Sequence, residues 1–394
     1  MIILEHPYIS EFLQQTLSKL NIPVLSNEAV QALNVSDSLS YLNQEEFVQQ
    51  VRTTKNLALY SNSEHSINWI VNHLGFTDYP QKINIFKDKV KFRDLIKKEY
   101  PDFFYQQVSF EELESLDVSR VKMPFILKPS IGFFSMGVYK INHEEDFKQT
   151  VAKLQDEVEN IKRSYPIEVV DSNTFIIEEY IDGEEFAVDL YFNEQNEPVI
   201  LNIFKHIFSS EEDVSDRVYI TSKEIIEAYH DPFFHFFKKL GEMVELKRFP
   251  MHVEFRVDDQ GQVVPIEINP MRFAGWCTTD IAYYAYGINV YEYFFEQKKP
   301  DWAHILQHKE DKIYSIVVAD LPRKVDVAEV SGIDYDKLQS NFEHVLELRK
   351  IDYVQHGVFA FLFTETSCHN WAELEGILKS DLMEYLILRS NEVS

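Results

Sequence analysis

The chain has 394 residues, 45% of them hydrophobic, enough to bury a large core and long enough for two or three domains. Asp and Glu number 65 against 38 Lys and Arg, giving a net charge of -27 that opposes nonspecific binding to nucleic acid or anionic membrane. Two cysteines, Cys277 and Cys368, exclude a disulfide framework and a CxxC zinc site and point to a reducing cytoplasm.

Residues 1–84 read as a small α/β unit. Met1 to Leu4 is a first strand, without the basic lead of a signal peptide. A periodic helix from Ser10 to Leu20, a short strand at Val24-Leu25, a strand at Asn56 to Tyr60 and a helix from Ser66 to Leu74 follow. Phe86 to Glu99 reads as one helix that brings Lys89 inward.

The apolar run Pro124 to Leu127 then leads into Lys128-Pro129-Ser130-Ile131-Gly132-Phe133-Phe134-Ser135-Met136-Gly137-Val138, and the chain leaves through Tyr139 to Ile141. Glycines at 132 and 137 allow successive N–H groups to face an anion, Ser130 and Ser135 add hydroxyl donors, and Lys128 adds charge. A surface hairpin is the alternative. No P-loop and no GxGxxG is present.

Glu144 to Lys162 has helical spacing with a solvated charged face. Residues 175 to 189 read as strand, hinge and strand, and Val199 to Phe208 as a further strand in which Lys205 is either a basic ligand contact or an exposed-face lysine. Asp231 to Leu246 is an amphipathic helix whose Phe233, Phe234, Phe236 and Phe237 face the core.

Glu254 lies on a strand-like run, and Glu267-Ile268-Asn269-Pro270 follows on another. Two carboxylates on facing strands with one amide oxygen suit magnesium, a hard cation that also takes phosphate oxygens. Residues 277 to 297 form a tyrosine-rich helical region in which Tyr283, Tyr284 and Tyr286 either pack or line a substrate site. Cys277 reads as a small buried hydrophobe. Beyond 301, strands at Ile313 to Ala319 and Val358 to Thr364 and a terminal helix from Trp371 to Leu388 suggest a C-terminal lobe. No segment is long and apolar enough to span a membrane.

The series Lys-Pro-x-x-Gly-x-x-Ser-x-Gly-Val from Lys128, Glu-Glu-Tyr-Ile-x-Gly-x-Glu-Phe from Glu178, then Glu254 and Glu-Ile-Asn-Pro from Glu267, resembles the ATP-grasp superfamily of carboxylate-amine ligase type. The resemblance covers about residues 85 to 300, opening at Asp88-Lys89. It implies an α/β ATP-grasp fold, two α+β subdomains gripping ATP with a lid near residues 90–180, between an N-terminal α/β domain (1–84) and a C-terminal lobe (301–394). Lys89 and Lys128 are implied to contact the ATP phosphates from strand ends, with Ser130, Ser135, Met136 and Gly137 in the loop that closes on them. The resemblance further implies that Glu178, Glu179, Tyr180 and Ile181 form the hinge beside adenine, Glu185 holds the ribose, and Lys205 adds a third basic contact. Mg is implied at Glu254, Glu267 and Asn269, and catalytic roles for Lys128 and Arg272.

The implied reaction activates a carboxylate as an acyl phosphate at the expense of ATP and joins it to an amine, so the expected partners are small-molecule substrates, an amino acid or short peptide among them. Neither nucleic acid nor membrane is expected as a partner, and a homodimer is possible. Asp213, Arg217 and Tyr219 border the acceptor site in this reading. The family's arginine usually follows Asn-Pro directly, whereas Met271 intervenes here. The Asn-Thr-Arg and Glu-His extension of the biotin-dependent branch is absent. Two other readings stay open: a nucleotide-binding protein that has lost its chemistry, and a phosphotransferase that stops at phosphoryl transfer.

Overall fold

The computed structural model describes residues 1–33, 35–131, 137–164, 174–210, 215–322 and 324–389. Its strands in chain order are β1 (Ile2–Ile3), β2 (Pro23–Leu25), β3 (Ser40–Leu42), β4 (Tyr60–Ser61), β5 (Tyr105–Ser109), β6 (Phe125–Pro129), β7 (Tyr139–Ile141), β8 (Thr174–Glu179) and β9 (Glu184–Phe192). Then come β10 (Pro198–Ile207), β11 (Val218–Ser222), β12 (Phe249–Val257), β13 (Val263–Pro270), β14 (Lys312–Asp320), β15 (Val330–Ile333), β16 (His344–Lys350), β17 (Val358–Ser367) and β18 (Leu386–Leu388).

The N-terminal unit is a parallel sheet in the order β3-β2-β1-β4, and its central strand buries Ile2 and Ile3 completely. Parallel neighbours need crossovers. The first is the helix Glu11–Leu20, started by the Ser10 hydroxyl, which accepts from Leu13 N–H, and stopped by Asn21 at φ 50°. The last strand begins at Tyr60 and not at Asn56, because Asn56 sits at φ 54°, a left-handed turn that cannot open a strand.

Phe86 to Glu99 is not one helix. Asp88 leaves helical geometry at ψ 104° and caps the next segment, its carboxylate accepting from Val90 N–H at 3.0 Å and Lys91 N–H at 3.3 Å. The break separates Tyr79–Lys87 from Lys89–Ile96 and puts Lys87 and Lys89 on either side of a corner. Lys89 therefore reaches the cleft from a helix start and not from a strand end.

The segment expected as the lid forms an antiparallel sheet, β5-β8-β6-β7, with the helix Glu144–Ser164 against it. It has its own core, in which Phe147, Val151 and Leu154 meet Phe125, Leu127, Ile141 and Phe175.

The largest sheet runs β13-β12-β9-β10-β11-β14-β17-β16, all neighbours antiparallel. β14 pairs with β11 from Val218↔Val317 to Ser222↔Ile313, so the strands beyond residue 300 continue the sheet and share its core. The helix over this sheet is Lys223–Met243, starting earlier than Asp231 because the Ser222 hydroxyl caps it by accepting from Ile225 N–H. Phe233 and Phe237 are fully buried there, and Phe234 and Phe236 partly so.

Two further segments differ from their sequence patterns. Residues 277 to 297 divide into a tight turn, Gly275–Asp280, and helices Ile281–Tyr286 and Val290–Glu296, parted at Gly287 with φ 72°. The terminal helix is Ala372–Lys379. Leu382 at φ 61° then reverses the chain, which returns as β18 against β15. Among the described residues no helix is long and apolar enough to cross a membrane.

Candidate active site

Adjacent strands β12 and β13 set Glu254 opposite Glu267 and His252 opposite Asn269. Directly opposed residues share a sheet face, so the two carboxylates and the amide converge. The register slips just beyond, where Phe255 pairs with Pro265, and this bulge leaves Ile266 unpaired at the cleft. Asn269 Nδ2 donates to Glu254 Oε1 at 3.4 Å.

The two acids have different surroundings. Burial pushes the Glu254 carboxyl up to about 7, and the Glu267 charge adds to that, although 35% of the Glu254 side chain still opens into the cleft. Burial acts on Glu267 as well, but Lys89, Lys87 and Lys128 outweigh it and hold that carboxyl below the usual range. Lys89 lies 3.5 Å from Glu267 Oε2, and Lys87 lies 3.5 Å from Glu267 Oε1 and 3.3 Å from Asn269 Oδ1. Burial lowers the Lys89 ammonium. Lys87 was not singled out from the sequence, yet it directly precedes the Asp88-Lys89 pair. Its other partner, Glu64 at 2.7 Å, comes from the N-terminal unit and has no motif to mark it.

Behind the acids, Glu178 is buried between Arg93, at 2.9 Å, and Lys128. Arg93 also donates to Pro265 O at 2.8 Å, tying the lid strand β8 to β13, and its Nη2 is buried without a partner. In this structure the Glu178 carboxylate is thus occupied by two cations.

A cavity of about 240 Å³ lies between the lid and the large sheet, walled by Ile126, Val138, Ile181 and Ile266 and reaching Lys128, Glu178 and Glu267. Glu179 and Tyr180 lie on the same wall. Glu185 stands at its edge, where Arg256 binds it at 2.8 Å and His206 at 3.0 Å. Ser130 is buried, and its carbonyl accepts from Lys89 N–H at 2.8 Å, which fixes the loop's first residue to the corner at Asp88. Gly137, two residues before β7, has no neighbour within 4 Å of where a Cβ would stand. Ser135, Met136 and Asp213 lie outside the described residues. Lys205 pairs with Glu184 at 2.5 Å on the outer rim, away from the acids.

A second cavity, about 350 Å³, lies on the other side of Glu254 and also touches His252, Arg272, Tyr219 and Trp276. Met271, at φ 70°, donates to Pro250 O and accepts from Ser61 N–H, both at 2.8 Å, and this kink swings Arg272 to the cavity wall. There Arg272 donates to Glu64 Oε1 through Nη2 at 2.6 Å and Nε at 3.2 Å. Trp276 and Cys277 are consecutive left-handed residues, both at φ 56°. Such strain needs external support. It comes from Arg349, which donates to Cys277 O at 2.9 Å and Asp280 at 2.7 Å, and from buried Asp189, which accepts from Ala274 N–H, Thr279 Oγ1 and His252 Nδ1.

Arg217 is turned away to Asp320, at 3.1 Å. The three tyrosines pack: Tyr286 meets Thr221 Oγ1 at 2.8 Å, Tyr284 bonds Glu347, and Tyr283 lies tilted against Phe12 with ring centroids 4.7 Å apart.

Residues 121–280 match the family model for the ATP-grasp domain. The chain carries an ATP-grasp domain. Solved structures share the fold over nearly the whole chain. An L-amino acid ligase from Bacillus licheniformis aligns over 98% of both chains with TM-score 0.65 and 15% identity. A biotin carboxylase from Campylobacter jejuni, in complex with a β,γ-ATP ligand, aligns over 98% of this chain and 92% of its own with TM-score 0.63 and 12% identity. N5-carboxyaminoimidazole ribonucleotide synthetase from Thermotoga maritima aligns over 98% and 99% with TM-score 0.61 and 15% identity. No curated protein matches the chain by sequence.

Proposed function

We propose that this protein is an ATP-dependent carboxylate-amine ligase, with ATP in the cavity under the lid and the carboxylate in the cavity beyond Glu254. The observation that carries the reading is that Glu254 lies in the wall of both cavities. A group transferred from one ligand to the other must pass such a shared wall.

The donor set fits magnesium. Glu254, Glu267 and the Asn269 amide oxygen are hard oxygen donors, and a divalent cation would offset both the burial and the neighbouring Glu267 charge that push Glu254 up. Those three residues would hold the ion, which when bound neutralises charge on the phosphoryl group.

The protein's own groups then divide the work. Ile126, Val138 and Ile181 offer an apolar slot for the base, and Lys89 and Lys128 hold phosphate oxygens. Arg272, fixed by Glu64, orients the substrate carboxylate. One carboxylate oxygen bonds to the γ-phosphorus while the bond to the ADP oxygen breaks. An amine nitrogen then bonds to the acyl carbon, phosphate leaves, and the nitrogen gives up a proton.

The test is ADP and phosphate release by the purified protein with ATP and Mg against pooled amino acids, dipeptides and small carboxylic acids, with mass spectrometry of active pools. A condensed product with ADP is expected. A phosphorylated acceptor without condensation would make the protein a phosphotransferase, and nucleotide binding without turnover in any pool would argue against a ligase.

A further inference from the structure

The cavity beyond Glu254 has two unlike ends. Its polar end is Glu254, His252 and Arg272. Its other end is built by the strands past residue 300: Ile316 and Val318 from β14, and Val358 and Phe361 from β17. The register explains the arrangement. Glu254 opposes Ala187, Ala187 opposes Phe204, Tyr219 opposes Ile316, and Val318 opposes Phe361, so one sheet face carries the series from acid to hydrocarbon. Trp276 closes the apolar end from above, its ring 5.7 Å from Phe361 and 5.2 Å from His356.

The far end offers a ligand mostly hydrocarbon, with one charge at its margin: Asp216, which accepts from the Tyr219 hydroxyl at 2.5 Å, also lines the cavity. Val318 and Val358 keep part of their surface open, while Ile316 and Phe361 are buried behind them. An anionic group placed there would lose its hydration beside the Asp216 carboxylate, whereas an alkyl or aryl group would cover the exposed apolar surface. Holding Trp276 left-handed costs energy that a wall of no consequence would not need.

We infer that this cavity takes an amino acid or short peptide with an apolar side chain, such as leucine, methionine or phenylalanine, its carboxylate at Arg272 and its side chain against β14 and β17. This rests on the carboxylate-amine ligase reading and names the substrate class for it.

The experiment is calorimetric titration of the full chain, saturated with Mg and a non-hydrolysable ATP analogue, with leucine, phenylalanine and leucyl-leucine, and separately with glycine, glutamate and lysine. The apolar ligands are expected to bind at least tenfold more tightly. Val318→Asp should remove that preference tenfold or more, and Val358→Asp likewise, with affinity for the ATP analogue unchanged as the control for folding. Equal or tighter binding of the charged ligands or glycine, no binding of any amino acid or peptide, or indifference to both substitutions in folded protein would overturn the inference. Turnover is read separately by trapping acyl phosphate as a hydroxamate. Selective apolar binding without hydroxamate would leave the substrate class standing and sink the ligase reading.

Discussion

Glu64 joins Arg272 to Lys87, the lysine that reaches Glu267 and Asn269: its Oε1 takes both Arg272 nitrogens and its Oε2 takes Lys87 at 2.7 Å. The residue comes from the N-terminal unit, so that unit holds two cations of the site in place. Burial opposes the charge on Glu64, but Arg272 and Lys87 hold its carboxyl down at about 2.

Glu64→Gln keeps the shape and removes the charge. It should raise KM for the carboxylate substrate and lower kcat, about tenfold in kcat/KM, with a smaller change in ATP affinity. Steady-state kinetics with each substrate varied in turn checks this. An unchanged kcat/KM would show that Arg272 is positioned by other contacts.

Glu267→Ala should cut Mg-supported ATP turnover by about a hundredfold or more and leave the circular dichroism spectrum unchanged, because it removes a ligand from a surface open to the cleft. Near-normal ADP release from the folded variant contradicts the metal assignment.

The Glu178 carboxyl is held down at about 2 against burial, by Arg93 and Lys128. A depressed carboxyl contributes stability above its unfolded value near 4.5, and that contribution fades as pH falls from there toward 2. Glu178→Gln leaves two cations buried without their partner and should cost about 3 kcal/mol at pH 7. Urea unfolding at pH 7 and near pH 2 checks both points, since the gap between wild type and variant should narrow in acid. A constant gap would mean that the loss is one of packing.

Burial pushes the Cys277 thiol up to about 11, whereas Cys368 is exposed. A thiol reagent at pH 8 should therefore titrate one cysteine in native protein and two after denaturation. Rapid native reaction at both sites would show that the strained turn at Trp276 opens in solution.

The strands on either side of the loop, the strands Thr174–Glu179 and Glu184–Phe192 and the opposed acids were legible because each has a local spacing that the fold keeps: Glu254 and Glu267 stand opposite one another as a sheet of that pattern requires. Glu64, Arg93 and Asp189 were not legible, since their partners lie 208, 85 and 63 residues away and nothing local marks the pairing. The split at Asp88 was hidden for another reason. The apolar period continues through it, and an aspartate between two lysines reads as helix surface until its carboxylate is seen capping the next turn. The reversal at Leu382 depends on a left-handed leucine, a conformation that side-chain type argues against.

The position of Glu254 between two cavities has a thermodynamic consequence. Whatever settles the charge of that one carboxylate from the nucleotide side alters the field met by the acceptor. Linkage then requires the acceptor to alter nucleotide and metal affinity by the same factor, so each substrate, titrated alone, should report an affinity different from the one it has in the other's company.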